Sequence, residues 1–300
     1  MHARVSLFVG VVALVASSAL AAENPFAGVQ VKVTKVGGNV SVVTGAGGNI
    51  GVSAGPDGIL IVDDQFAPLA PKIEKAIKPL SKKPLRFVLN THWHGDHTGG
   101  NEAFGKLAPI IAHKNVRLRL EQGTKRGDRT IPPAPPGALP VITYEDGLSI
   151  FLNGEEIRVR HLPMAAHTDS DSIVIFTKSK VVHFGDQFTN GVFPFIDLDT
   201  GGSVRGYITN LRQLRPTLTD DMTLIPGHGP VGTVKDLDAF IAMLEETSRR
   251  VEAGIAAGKT LEQLKQQDVL KGFESWQTDF LNKATFTEIL FRDLSRKEAK

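Results

Sequence analysis

Short runs of β-branched residues broken by glycine dominate the first third of the chain. Val40–Thr44 and Ile50–Ala54 flank Gly45-Ala46-Gly47-Gly48-Asn49, a pattern that predicts a β-hairpin with a glycine-rich tip. Ile59–Val62 reads as a further strand after Gly55-Pro56-Asp57-Gly58. The period then changes. Ile73, Ala76, Ile77 and Leu80 recur at three- to four-residue spacing and predict a helix within Pro68–Leu80. Leu85–Leu89 reads as a buried strand ending at Asn90. Asn101–Phe104 opens a helix after Gly99-Gly100, and Ile110–Ala112 is short and β-like. Gly123–Pro140 holds five Pro and reads as a long irregular loop.

Leu148–Leu152, Glu156–Leu162, Ser172–Thr177, Val181–Gly185 and Met222–Ile225 are the next strand candidates. After Gly232 the helical period takes over, with Leu237, Phe240, Ile241, Leu244, Val251 and Ile255 on one stripe. Thr260-x-x-Gln263 matches a capping box, and Phe280–Leu294 reads as the last helix. Strands on both sides of helices predict an α/β layered architecture. Neither a linker-like change of composition nor an internal repeat divides the chain, so residues 23–300 are expected to form one domain.

The first 22 residues stand apart. His2 and Arg4 precede an apolar run from Val5 to Ala16, followed by Ser17-Ser18-Ala19-Leu20-Ala21-Ala22. A positive start, a short apolar stretch and small residues predict a secretory signal peptide over 1–22, with Ala19-Leu20-Ala21 as the cleavage site. The run is short for a membrane-spanning helix. A periplasmic product with no membrane association after cleavage is expected. Composition narrows the chemistry further. The chain has 300 residues, 34 basic and 32 acidic, a formal charge of +2, nine His and no Cys. Disulfide scaffolds and Cys-ligated metal centres are excluded. The balanced charge gives no electrostatic footprint for nucleic acid, so a small-molecule substrate is expected.

The segment His92-Trp93-His94-Gly95-Asp96-His97 places four metal-capable side chains in six residues, directly after the strand Leu85–Leu89. His92 and His94 point the same way in an extended backbone. Gly95 lets the chain bend before Asp96 and His97. Two neighbouring metals suit this geometry better than one, and an all-nitrogen and oxygen shell suits Zn²⁺, with other divalent metals as alternatives. His167, Asp186 and His228 each follow a predicted strand, and ligand sites in α/β sheets cluster at strand carboxyl ends.

The series His92-x-His94-x-Asp96-His97, Ala166-His167-Thr168, Gly185-Asp186 and Gly227-His228-Gly229 resembles the full motif set of the metallo-β-lactamase superfamily, from about Gly37 to Val231. The resemblance implies a four-layer αββα sandwich with extra C-terminal helices from about Val234. It also implies a dinuclear zinc site. His92, His94 and His167 would hold the first ion, Asp96, His97 and His228 the second, and Asp186 would bridge them. Relatives that bind iron with a flavin partner carry Glu where this chain has His94, which favours zinc. The layout is similar to the B1-like branch, but Asp186 stands where B1 β-lactamases have the ligand Cys.

The implied activity is hydrolysis of a carbonyl substrate (ester, thioester, lactone or lactam) by a metal-bound hydroxide, with Asp96 as the catalytic carboxylate orienting it. A bona fide class B β-lactamase and a non-catalytic metal-binding accessory protein are the alternatives. Asn190 is a candidate substrate contact. Gly45–Asn49 is a candidate flap, Phe193 and Phe195 are candidate pocket-lining residues, and Thr168, Asp169 and Asp171 are candidate partners of the ligands.

Overall fold

The computed structural model describes residues 24–296, so the leader expected over Met1–Ala22 lies outside the described residues. The chain opens with four antiparallel strands, β1 (Lys32–Gly37), β2 (Val40–Thr44), β3 (Ile50–Gly55) and β4 (Gly58–Val62). Helix α1 (Ala70–Ile77), extended at each end by a single 3-10 turn, leads to β5 (Leu85–Asn90), which pairs parallel with β4. Two one-turn helices, α2 (Gly95–Thr98) and α3 (Asn101–Phe104), precede β6 (Ile110–His113) and α4 (Lys114–Gln122). A two-stranded hairpin, β7 (Thr124–Arg126) and β8 (Arg129–Ile131), stands apart, and β9 (Ile142–Tyr144) completes the first sheet in the order β1-β2-β3-β4-β5-β6-β9. The second sheet runs β10 (Gly147–Leu152), β11 (Glu155–His161), β12 (Ser172–Phe176), β13 (Val181–His183) and β14 (Thr223–Ile225). Helices α5 (Val204–Leu214), α6 (Val234–Ala256), α7 (Leu261–Gln266) and α8 (Lys283–Leu294) cover it.

The side-chain alternation explains the layering. Val40, Val42, Leu60, Val62, Leu89 and Ile111 face Ile157, Val159, Val174, Phe176, Val181 and Ile225 in a core between the sheets. Their neighbours Val43, Ile59, Ile61, Val88 and Ile110 point to the opposite face and bury Ile73 and Ile77 of α1. On the far side Ile173, Val182 and Leu224 pack on Val204, Tyr207 and Leu211 of α5, Phe240 and Leu244 of α6, and Phe286 and Leu290 of α8. A two-residue strand period thus feeds three apolar layers and gives the four-layer αββα sandwich with added C-terminal helices.

Differences from the sequence reading have local causes. The Pro-rich stretch 123–140 contains the β7–β8 hairpin and a short helical turn rather than irregular loop alone. Helix α8 begins at Lys283, capped by the Asn282 side chain, which leaves Phe280 in the preceding turn. The capping box at Thr260 and Gln263 forms as expected. Among the described residues no helix is long and apolar enough to cross a membrane.

Candidate metal centre

The ligand candidates sit where strands end. β4 and β5 run parallel, as do β13 and β14, so the turns after them open on one side of the sandwich. His92, His94, Asp96 and His97 follow β5, His167 follows β11, Asp186 follows β13 and His228 follows β14. All seven converge. The ligand-capable atoms of His92, His94, His167 and Asp186 form one group, and those of Asp96, His97 and His228 another, each lying within 4.8 Å of one another. Asp186 spans both groups: its carboxylate lies 3.1 Å from His97 Nε2 and 3.4 Å from both His167 Nε2 and His228 Nε2. His228 Nε2 is 3.2 Å from Asp96 Oδ2.

Four of the five imidazoles are aimed by what the outer nitrogen touches. His94 Nε2 donates to Asp197 Oδ2 at 2.9 Å, and His167 Nδ1 donates to the Phe195 carbonyl at 2.7 Å. His97 Nδ1 donates to Asp63 Oδ2 at 2.8 Å. Thr91 Oγ1 gives its proton to Asp63 Oδ2, so it accepts from His92 Nδ1 at 3.0 Å. With the outer protons committed, the inner nitrogens of these four rings present lone pairs in the neutral form. His94 Nδ1 and His167 Nε2 face each other at 2.7 Å, and His92 Nε2 is buried without any hydrogen-bond partner. Lone pairs and two carboxylates pointing at common positions are poorly matched to one another and well matched to cations. The donor set, all imidazole and carboxylate, fits zinc. Outer hydrogen bonds that fix the tautomer and tilt of a ligating His are the usual support of such a site.

The charges sort in the same way. Burial, followed by the neighbouring His167, lowers the His94 pKa to about 4 against the pull of Asp197. Burial, with help from His97 and His167, also holds His92 well down. Burial disfavours the charged form of His97, but Asp186, Asp96 and Asp63 outweigh it and push the ring well above its usual value. Burial is likewise outweighed at His228, where Asp186 and Asp96 raise the ring to about 10. Burial opposes ionisation of Asp96, yet His97 and His228 hold its carboxyl well below the usual range.

Two glycines are required by close approach. A Cβ on Gly48 would lie 2.1 Å from His97 Cε1, and one on Gly227 would lie 1.9 Å from Asp186 Oδ1. The Gly45–Asn49 tip is therefore packed against the ligand loop, and its C-terminal side is pinned. Gly48 N donates to the Asp96 carbonyl, Asn49 N to Gly227, and the Asn49 amide to Pro226 and Gly229. This differs from a free flap. Asn190 ties the His228 loop in place, with its amide donating to the Pro230 carbonyl and its backbone N to His228. Phe193 is core, stacked on Phe286, whereas Phe195 is half-buried with its ring centre 6.0 Å from His94 and 6.3 Å from His167. Asp169 pairs with Arg119, and Asp171 accepts from Thr168 and Gln187, shaping the His167 turn without touching the ring.

The sequence reading missed Asp63, Asp197 and Thr91. Asp63 is fully buried and adopts a left-handed backbone with φ of 66°, rare for a side-chain-bearing residue and a sign of a constrained position. Two adjacent aspartates closing an apolar strand, Asp63-Asp64, were the available signal.

The profile of the metallo-beta-lactamase superfamily matches residues 33–228. The chain is similar to the linear primary-alkylsulfatase of Pseudomonas sp. (strain ATCC 19151), at 23% identity over 273 residues, covering 75% of this chain and 51% of that protein. The solved metallo-beta-lactamase from Pontibacter korlensis superposes with a TM-score of 0.59 at 18% identity, covering 72% of this chain and 99% of that one. A double mutant of the sec-alkyl sulfatase PisA1 superposes with a TM-score of 0.63 at 16% identity, covering 87% of this chain and 50% of that one. The chain spans about half the length of these sulfatase relatives, and the structural likenesses carry the fold alone. The profile covers most of the chain, and the chain belongs to the metallo-beta-lactamase superfamily.

Proposed function

We propose that this protein is an exported dinuclear zinc hydrolase acting on a small carbonyl substrate: an ester, thioester, lactone or lactam. One observation carries the reading. Four oriented imidazoles and the Asp96 and Asp186 carboxylates converge on two adjacent positions, with Asp186 between them. We assign His92, His94 and His167 to the first ion, Asp96, His97 and His228 to the second, and Asp186 to both. Two bound zinc ions would supply an acidified water and polarisation of the scissile bond.

The protein's own part is positional. Asp63, Asp197, Thr91 and the Phe195 carbonyl lock the imidazoles before substrate arrives, so little reorganisation is needed at reaction. Asp96 and His228 are the members open to solvent, with side chains 28% and 33% exposed, while the His92, His94, His97 and His167 rings are sealed. Substrate is therefore received on the Asp96–His228 side. Asp96 Oδ2, kept ionised by His97 and His228, is the acceptor that orients the attacking water there. The leader-like residues 1–22 support export.

A sulfate-ester substrate is a second reading, favoured by the alkylsulfatase and sec-alkyl sulfatase likenesses, the latter covering more of this chain than the β-lactamase does. The test is a hydrolysis panel on zinc-loaded protein: aryl ester, thioester, lactone, chromogenic cephalosporin and alkyl sulfate, with Asp96→Ala as the blank. Cleavage of an ester, thioester or lactone with kcat/KM above roughly 10⁴ M⁻¹s⁻¹ supports the first reading. Preference for the sulfate supports the second, and preference for the cephalosporin supports a dedicated β-lactamase. A zinc-replete protein inert toward every substrate would favour a metal-binding accessory role.

A further inference from the structure

The Phe195 ring, 6.0 Å from His94 and 6.3 Å from His167, has the Phe280 ring 6.1 Å away on its other side. Phe280 is 75% exposed. It does not dangle. Thr278 N donates to the Leu281 carbonyl, Leu281 N donates to Thr278 Oγ1, and the Leu281 side chain is buried in the helical core. The Trp276 carbonyl accepts from Phe193 N, which ties this segment to the loop carrying Phe195. A tight turn, anchored on both sides, thus holds one large apolar ring in water as the outer step of an aromatic path that begins at the metal ligands. Isolated exposed phenylalanines are ordinary, and Phe151, 78% exposed at the far end of β10, is one. Phe280 differs in being continuous with the site.

We propose that Phe195 and Phe280 form an apolar track for the tail of an amphiphilic substrate whose scissile head lies at the metal centre. The inference rests on the hydrolase reading and narrows it to substrates bearing a long apolar tail. Phe195 takes the carbons next to the head, and Phe280 takes those further out. Phe280 is then a specificity residue that discriminates by chain length and has no part in the bond-breaking step. The C-terminal segment outside the motif region thereby acquires a role in selecting substrate.

The experiment is a calorimetric titration of the zinc-loaded protein with butanoate, hexanoate, octanoate and decanoate, which carry a metal-seeking head and a graded tail. Wild type, Phe280→Ala and the remote control Phe151→Ala are compared. Affinity in the wild type and in Phe151→Ala is expected to rise by about fourfold per methylene buried, levelling once the tail passes Phe280. In Phe280→Ala the gain from hexanoate to decanoate is expected to collapse to less than about threefold overall. Equal affinity for all four acids in the wild type would overturn the proposal, as would an identical rise in wild type and Phe280→Ala. The readout is independent of turnover. Graded binding by a protein inert toward every substrate of the hydrolysis panel would sink the hydrolase reading and leave the track standing. Ester hydrolysis with flat binding would do the reverse.

Discussion

Asp63 Oδ2 accepts from His97 Nδ1 at 2.8 Å, and the same oxygen accepts from Thr91 Oγ1, the hydroxyl against which His92 rests. One buried carboxylate at the end of β4 therefore aims a ring from each metal cluster. Its other oxygen is taken by Thr91 N at 2.8 Å. Asparagine cannot substitute, because its NH₂ would face a donor whichever way the amide turned. Asp63→Ala and Asp63→Asn are each expected to weaken zinc binding by about 10- to 100-fold, measured by competition with a chromogenic chelator. An Asp63→Asn protein with wild-type affinity would remove this role.

Asp197 does for His94 what Asp63 does for His97, at a separation of 103 residues. Removing the carboxylate leaves His94 Nε2–H buried without its acceptor and frees the ring to rotate. Asp197→Ala is expected to lose at least about tenfold in zinc affinity, with the first cluster emptied before the second. Cobalt substitution, followed by the visible spectrum of each filled site, reports which cluster is lost.

The seven converging residues were legible because four of them crowd into His92–His97 and the other three also follow predicted strands. Their partners were not. Asp63 and Asp197 are single carboxylates 34 and 103 residues from the rings they orient, and no local period encodes such a contact. Helix α5 was missed although Val204, Tyr207, Leu211 and Leu214 follow helical spacing and Ser203 caps it. The polar, glycine-rich approach through Asp197–Gly202 reads as loop, and the helix is held by packing on Phe240 rather than by strong propensity. The Gly45–Asn49 hairpin was legible, but the contacts that tie its candidate flap down are to Gly227 and Pro226, which lie almost 180 residues away.

Gly48 tests the packing of that tip. Alanine there would put its Cβ 2.5 Å from His97 Nε2, the atom facing the second cluster. Gly48→Ala is expected to keep its far-ultraviolet circular dichroism while losing about one zinc equivalent and most of its activity. Full zinc content in this variant would mean that the hairpin yields, and that it is more mobile than its hydrogen bonds indicate.

Protons and metal compete for the same atoms. Asp186 and Asp96 stabilise the charged form of His228, raising it to about 10, and also push His97 up. Zinc must displace those protons, so affinity falls as pH falls. Below the raised His228 value, log K for zinc is expected to climb with pH at a slope of up to about two, one proton for each of these rings. Proton release measured in buffers of different ionisation enthalpy provides the independent count. A pH-independent affinity between about pH 6 and 8 would contradict the charge arrangement.

One chain is expected to hold two metal ions through seven side chains, with Asp186 shared between them. Native mass spectrometry of the zinc-titrated protein counts the ions held. Saturation at two zinc ions per chain is expected, with a single retained ion in His228→Ala and loss of the paired state in Asp186→Ala. Saturation of the wild type at one ion, or two ions retained in Asp186→Ala with unchanged affinity, would contradict it.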